Sequence, residues 1–348
     1  MEPITHFLTG ACISRTGFNR TTGYATLMMT LAAEFPDVDI LWNIRGPVEG
    51  FAAHRGFTHS FIGAPVDSAI VLAFVYAVHR WRTNGGKFPL LAPRWGLLYL
   101  FGILAVVSHI LLDFTNNYGV RPFLPFNWHW YSWDIVFIIE PLLLLVLLVG
   151  LVLPWIFGLV GSEIGAHKEK FRGRWTATAA LIAICAIWWM RDYQHRKAVT
   201  LLSSVDYRGE AVMRAGAMPF ALDPFSWGGV VETQSFYVEV PIDSRTTDID
   251  QLNRAQIFYK PVETPVTLAA KRSPLGRVYL DWARFPLVET EQSSAGADYS
   301  VLFRDLRFDY LGSFLSQQSG RRPLSAEVVL DRNLHVVVMG VGDREEKP

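Results

Sequence analysis

Long apolar runs dominate the first 200 residues, and they limit what this half of the chain can become. Residues 61–81, 96–113, 135–160 and 175–190 each approach or exceed the ~17–25 residues that a helix needs to cross a bilayer. Backbone N–H and C=O groups find no water in hydrocarbon, so runs of this kind must be helical. Two shorter apolar pieces, residues 4–13 and 24–35, come first. At ~1.5 Å of rise per residue neither reaches across, which suits a hairpin packed beside the spans. The expected fold is an α-helical integral membrane bundle of about four long spans plus a short N-terminal helical hairpin.

After about residue 204 charges become frequent and no further long apolar run appears. The segments FYVEV (236–240), QIFYK (256–260) and YSVLF (299–303) have the apolar and aromatic content of short strands. Residues 327–330 and 335–339 flank DRN, a hairpin turn sequence. The expected organisation is a helical membrane domain over residues 1–200 and a soluble β-rich domain over 204–348. Lys and Arg number 32, equal to Asp and Glu, so the chain has no basic footprint for nucleic acid. Its two cysteines are far apart and form neither a disulfide framework nor a CxxC metal site. The N-terminus lacks the basic n-region and long apolar h-region of a cleavable signal peptide.

Short loops rich in Lys and Arg stay on the cytoplasmic side. Arg15 and Arg20, the group Arg80, Arg82, Lys87 and Arg94, and the group Lys168, Lys170, Arg172 and Arg174 occupy alternate loops, so all three share one side. Arg191, Arg196 and Lys197 after the last run count against this orientation. The other side then holds residues 36–60, residues 116–134 and the C-terminal domain. In a bacterium this is the outer face of the inner membrane.

The polar residues at the helix ends collect on that same face. They are His6, Asp37 and Asp39 in FPDVD, His54 and His59 in AHRGFTHS, His109 and Asp113 in SHILLD, and Glu140 before a proline. His109 and Asp113 stand i, i+4 and project from one helix face. His54 and His59 are i, i+5, so aiming them at one point requires a turn, which Gly56 supplies. A lone histidine at a membrane interface is usually a polar anchor, as His79 and His129 are read here. His109 differs, because it lies inside an apolar run where an ionisable group is costly. Imidazole and carboxylate donors without thiolates suit one or two divalent ions, zinc first, with manganese or iron as alternatives. Metal-assisted hydrolysis is the chemistry that fits, with Asp39 or Asp113 as general base. The aromatic stretch FLPFNWHWYSW (123–133) reads as an interfacial belt against the bilayer, or as a surface for a lipid-like substrate.

Taken in order, TH near the start, PDVD, HRGFTHS and SHILLDFTNNYG resemble the YdjM-like family of membrane-bound, metal-dependent hydrolases. The resemblance covers roughly residues 1–160 and leaves the rest as a C-terminal extension. It implies a helical membrane domain with hydrolase activity and a metal set at His6, Asp37, Asp39, His54, His59, His109 and Asp113. Glu140 falls where the family pattern tends to an acidic residue before proline. The expected function is a membrane-bound hydrolase in which metal-activated water attacks an ester or phosphoester of a lipid-like molecule. The alternative is a non-enzymatic membrane protein with a structural metal and a partner-binding soluble domain. The orientation is checked by a reporter fused after residue 204. Non-cytoplasmic readout is expected, and cytoplasmic readout overturns the assignment.

Overall fold

A computed structural model describes residues 1–163, 173–246, 255–292, 299–309 and 324–348. The loop cations Lys168, Lys170 and Arg172 lie outside the described residues. Two compact units emerge: Met1–Asp39 with Arg55–Tyr193, and Ile40–His54 with Gln194–Pro348.

The first unit is helical. Helices α1 (Pro3–Arg15) and α2 (Ala25–Glu34) form the N-terminal hairpin. They approach closely because Gly10 has no side chain: a Cβ there would sit 2.4 Å from the Met29 carbonyl oxygen and 2.8 Å from Ala33 Cβ. After the short helix α3 (Pro47–Ala53) of the second unit come α4 (Gly63–Asn84), α5 (Trp95–Phe114), α6 (Pro141–Glu163) and α7 (Arg174–Ser204), whose end from Gln194 onward belongs to the second unit. Helices α2, α4 and α5 share a core built on Met28, Met29, Leu98, Ala105 and Val106. A second core joins α1, α6 and α7 through Cys12, Leu143, Leu147, Ala177 and Ile184.

The expectation of about four long spans is corrected here. Among the described residues one helix, α5, is by itself long and apolar enough to cross a bilayer. Helix α4 has the length, but Asp67 near its start and His79, Arg80 and Arg82 near its end dilute its apolar face. It qualifies only when counted together with the bent segment before it. In α6 the apolar stretch counted among the described residues, Pro141–Phe157, is shorter than a full span. Helix α7 is 31 residues long but turns polar from Arg191 onward. Runs that look like uniform spans when counted by hydrophobicity are thus partly amphipathic or short.

The second unit is β-rich. One antiparallel sheet contains β1 (Arg214–Pro219), β2 (Ser226–Glu232), β3 (Phe236–Asp243) and β4 (Gln256–Tyr259) in that order. The other contains β5 (Pro286–Gln292), β6 (Tyr299–Asp305), β7 (Ala326–Leu330), β8 (Val336–Val341) and β9 (Arg344–Glu346). The strand segments read from the sequence fall in β3, β4, β6, β7 and β8. In the DRN turn the Asp331 carboxylate accepts the N–H groups of Asn333 and His335, both at 2.8 Å. Between the sheets in sequence come α8 (Pro265–Arg272) and α9 (Pro274–Trp282). Each starts at a hydroxyl cap, Thr264 accepting from Thr267 N–H and Ser273 from Gly276 N–H.

Residues 40–54 belong to this second unit although their neighbours on both sides belong to the first. They include α3 (Pro47–Ala53). Its Phe51 stacks on Tyr279 at 5.8 Å between ring centres and meets Trp282 edge-on at 5.2 Å. Val48 and Phe51 are buried there. The chain therefore leaves the helical unit at Asp39, anchors α3 among the aromatic residues of the β-rich unit, and returns at Arg55.

Candidate metal centre

The last two turns of α5 carry the first pair of donors, His109 and Asp113, both fully buried. His59 comes from the short 3-10 turn Phe57–His59. The residues after His59 fix that turn. Ser60 Oγ donates to the Phe57 carbonyl at 2.7 Å and accepts the Gly63 N–H at 2.9 Å, capping α4. A Cβ on Gly63 would lie 2.0 Å from the same carbonyl, so a glycine is needed for α4 to start this close. Asp37 lies on the 3-10 segment Phe35–Arg45 that continues α2.

These four side chains point at one place, with one donor atom from each within 4.8 Å of all the others. The Nε2 atoms of His59 and His109 are 3.0 Å apart. Asp37 Oδ1 is 3.5 Å from each. Asp113 Oδ2 is 3.4 Å from His59 Nε2 and 3.5 Å from His109 Nε2. Donors bonded to tetrahedral zinc at ~2.0–2.1 Å are ~3.3–3.4 Å from one another. The observed spacings are close to that.

The surrounding groups aim these donors. His109 Nδ1–H donates to the Ala33 carbonyl at 2.7 Å, which turns the Nε2 lone pair toward the cluster. His59 Nδ1 faces the Asp39 carboxylate at 3.4 Å and Thr58 Oγ1 at 3.2 Å. With the His59 proton on that side, two imidazole lone pairs confront each other, an arrangement that a cation relieves. Asp113 Oδ2 is buried and has no hydrogen-bond partner among the described residues, a costly state for a carboxylate oxygen unless it binds a cation. The donor set of two nitrogens and two oxygens fits zinc, manganese or iron.

Arg55 is part of this site, and the reading of HRGFTHS overlooked it. The turn in that motif falls on Arg55, with φ of +50°, instead of on Gly56. Its backbone N–H donates to Asp39 Oδ2 at 2.6 Å, closing the base of the 40–54 excursion. Its buried guanidinium donates to Asp113 Oδ1 at 3.0 Å, to Asn116 Oδ1 at 3.1 Å and to the Gly119 carbonyl at 3.0 Å. Asp113 is thus divided: Oδ1 is neutralised by arginine and Oδ2 is left for the cluster. The Met1 amine also contacts Oδ1.

The other expected ligands have different places. His6 stacks on His109 at 3.7 Å and brings Nε2 to 3.4 Å from Asp113 Oδ1, behind the four donors. Burial holds its pKa well below the usual value, so the ring is neutral. Asp39 stands behind His59 as an orienting carboxylate. His54 caps α3 and lies in the β-rich unit, whereas the four donors lie in the helical unit. Glu140 is fully buried in an ion pair with Arg191 Nη2 at 2.8 Å. Asp37 is the open corner, 25% exposed where the other three side chains are fully buried.

One further carboxyl was not singled out from sequence. Glu34 lies one turn before Asp37, and burial together with the Asp37 charge raises its pKa from 4.5 to about 7. A signal was present in AAEFPDVD, an acid at the end of an apolar helix next to the acidic motif.

Two outcomes follow. Arg55→Gln leaves Asp113 Oδ1 buried without its cation and is expected to weaken metal affinity ~10–100-fold, as loss of an outer partner does. Competition against a chelating dye measures this, and unchanged affinity refutes the role. Glu34 is about half protonated at pH 7 in the metal-free protein, and the proton opposes cation binding next to it. Metal affinity therefore rises with pH through about 7, and Glu34→Gln flattens the rise. An equally steep rise in the variant excludes Glu34 as its source.

Residues 1–197 match the family described as YdjM inner membrane protein. The "Uncharacterized protein YfhP" of Bacillus subtilis (strain 168) is 24% identical over 302 residues, covering 86% of this chain and 82% of that protein. No solved structure matches the chain. With the family match spanning more than half of the chain and the motifs HRGFTHS and SHILLD at the cluster, the protein belongs to the YdjM inner membrane protein family.

Proposed function

We propose that this protein is a membrane-bound, metal-dependent hydrolase whose centre is Asp37, His59, His109 and Asp113. The observation that carries the reading is the spacing of four converging donors around an unsatisfied, buried Asp113 oxygen. A bound divalent cation, zinc in the first instance, supplies Lewis acidity and lowers the pKa of a coordinated water toward ~7. His59 and His109 are neutral donors held in orientation by Asp39 and the Ala33 carbonyl. Asp113 would offer Oδ2 to the cation, with Oδ1 held by Arg55. With Asp113 a ligand and Asp39 behind His59, Glu34, one turn before Asp37, is the remaining carboxyl for the role of general base. Because α5 is the membrane-capable helix and carries two of the donors, an ester or phosphoester of a lipid-like molecule is the substrate class. The bilayer is the surrounding partner, in the bacterial inner membrane. The cations Arg80, Arg82, Lys87 and Arg94 just before α5 support a cytoplasmic start for that helix and hence a site at its non-cytoplasmic end.

The donor count favours a second reading. Four protein ligands close a tetrahedral zinc site, and closed sites are structural. Asp37 decides between the two, since a partly exposed ligand on a 3-10 segment can yield a position to substrate. In the structural reading the β-rich unit binds an envelope partner and the metal only holds the helices together.

Purified full-length protein, loaded with zinc, manganese or iron, is assayed on p-nitrophenyl esters and bis-p-nitrophenyl phosphate, with elemental analysis in parallel. Hydrolysis is expected in wild type and at least a hundredfold loss in His59→Ala and His109→Ala, with metal content falling in both. Hydrolysis that survives both substitutions removes the hydrolase reading. Stoichiometric metal whose removal unfolds the protein, without hydrolysis of any substrate, establishes the structural reading.

A further inference from the structure

A wholly apolar cavity of about 470 Å³ lies against the C-terminal half of α5, on a face adjoining the one that carries His109 and Asp113. Its wall includes Ile110, Leu111 and Phe114 from α5, with Phe61, Phe123 and Tyr131 opposite. Three of these lie one or two positions from metal donors: Phe61 is two after His59, Ile110 follows His109, and Phe114 follows Asp113.

The cavity is built by backbone pins, so it is more than a dent in a helix surface. Phe61 N–H donates to the Pro122 carbonyl at 2.9 Å. Val120 and Tyr131 exchange two backbone hydrogen bonds, both at 2.8 Å. These pins hold a chain of edge-on rings, Phe61 to Phe123 at 5.6 Å and Phe123 to Tyr131 at 5.3 Å. The Tyr131 hydroxyl is engaged by Asn127 Nδ2 at 3.1 Å. The volume falls within the ~300–1,000 Å³ usual for ligand sites.

Two observations identify the occupant. The wall offers a polar ligand no hydrogen bond, so a polar ligand would be desolvated without compensation. The cavity also continues an exposed apolar surface of the kind that suits hydrocarbon. Leu100, Leu104 and Leu111 are exposed along one stripe of α5, the helix long and apolar enough to cross the bilayer, and Leu111 is where that stripe enters the cavity. An acyl chain moving along the stripe reaches the cavity without leaving an apolar environment. We propose that this groove holds the hydrocarbon tail of a bilayer lipid next to the metal centre. Resting on the hydrolase reading above, that lipid is the substrate, and the groove selects molecules with a long tail.

The test uses the full chain, metal-loaded, in phosphatidylethanolamine and phosphatidylglycerol vesicles containing a small fraction of phosphatidylglycerol with a diazirine in its tail. After photolysis, labelled peptides are mapped by mass spectrometry. Labelling at Phe61, Leu111 and Phe123 is expected to exceed that at Leu100 and Leu104 several-fold. Leu111→Trp, which fills the groove at an exposed position, should cut groove labelling at least fivefold at unchanged metal content, and Leu111→Ala should retain it. Labelling as heavy at Leu100 and Leu104, or indifferent to Leu111→Trp, shows ordinary bilayer surface and overturns the proposal. In the same samples, the ratio of long-tail to short-chain ester turnover should fall at least fivefold in Leu111→Trp. A ratio that does not move overturns the assignment of this lipid as substrate. Selective groove labelling with no hydrolysis of either ester by wild type removes the hydrolase reading and leaves the lipid site standing.

Discussion

Two imidazoles aimed at each other inside a helical unit, with two carboxylate oxygens beside them, are the constraint from which the rest of this structure follows. His59 and His109 bring their Nε2 atoms to 3.0 Å, and Asp113 Oδ2 is buried next to them without a hydrogen bond among the described residues. Neutral packing does not account for such a group, because each polar atom taken from water needs a partner. The neighbouring features serve this cluster. The Ala33 carbonyl and the Asp39 carboxylate orient the rings, Arg55 balances one oxygen of Asp113, and Ser60 with Gly63 fixes the turn that presents His59.

The path of the chain gives the β-rich unit a connection to that cluster. Asp39 and Arg55 are held together by a 2.6 Å hydrogen bond, and the residues between them form α3 of the other unit. Phe51 of α3 is buried against Tyr279 and Trp282. The two ends of this segment, Asp39 and Arg55, belong to the helical unit, and its buried anchor Phe51 belongs to the β-rich unit.

Legibility in the sequence depended on whether a residue's partner was local. His109 and Asp113 are i, i+4 on an apolar helix, so their common face could be read directly. Asp37 and His59 stood in short, distinctive motifs at helix ends. Glu140 looked like a further ligand because its partner, Arg191, is 51 positions away and nothing local predicts the pair. His54 looked like a companion of His59 because the intervening turn was read without the excursion, whose cause is the burial of Phe51 and Val48 far along the chain. Arg55 was overlooked because its side chain's partners, Asn116 and Gly119, lie in the other motif. The count of spans failed for a different reason. Apolar content over 61–81 averages over Asp67 and His79, and the run 175–190 stops just before Arg191, so length alone made α4 and α7 look like α5.

The central claim concerns the cation, and X-ray absorption at the metal K-edge on purified, full-length, metal-loaded protein addresses it most directly. The account predicts one tightly bound divalent ion with about two imidazole nitrogens and two carboxylate oxygens at ~2.0–2.2 Å, and loss of the imidazole scattering in His109→Ala. A first shell without imidazole, or a protein that takes up no metal at all, would contradict it.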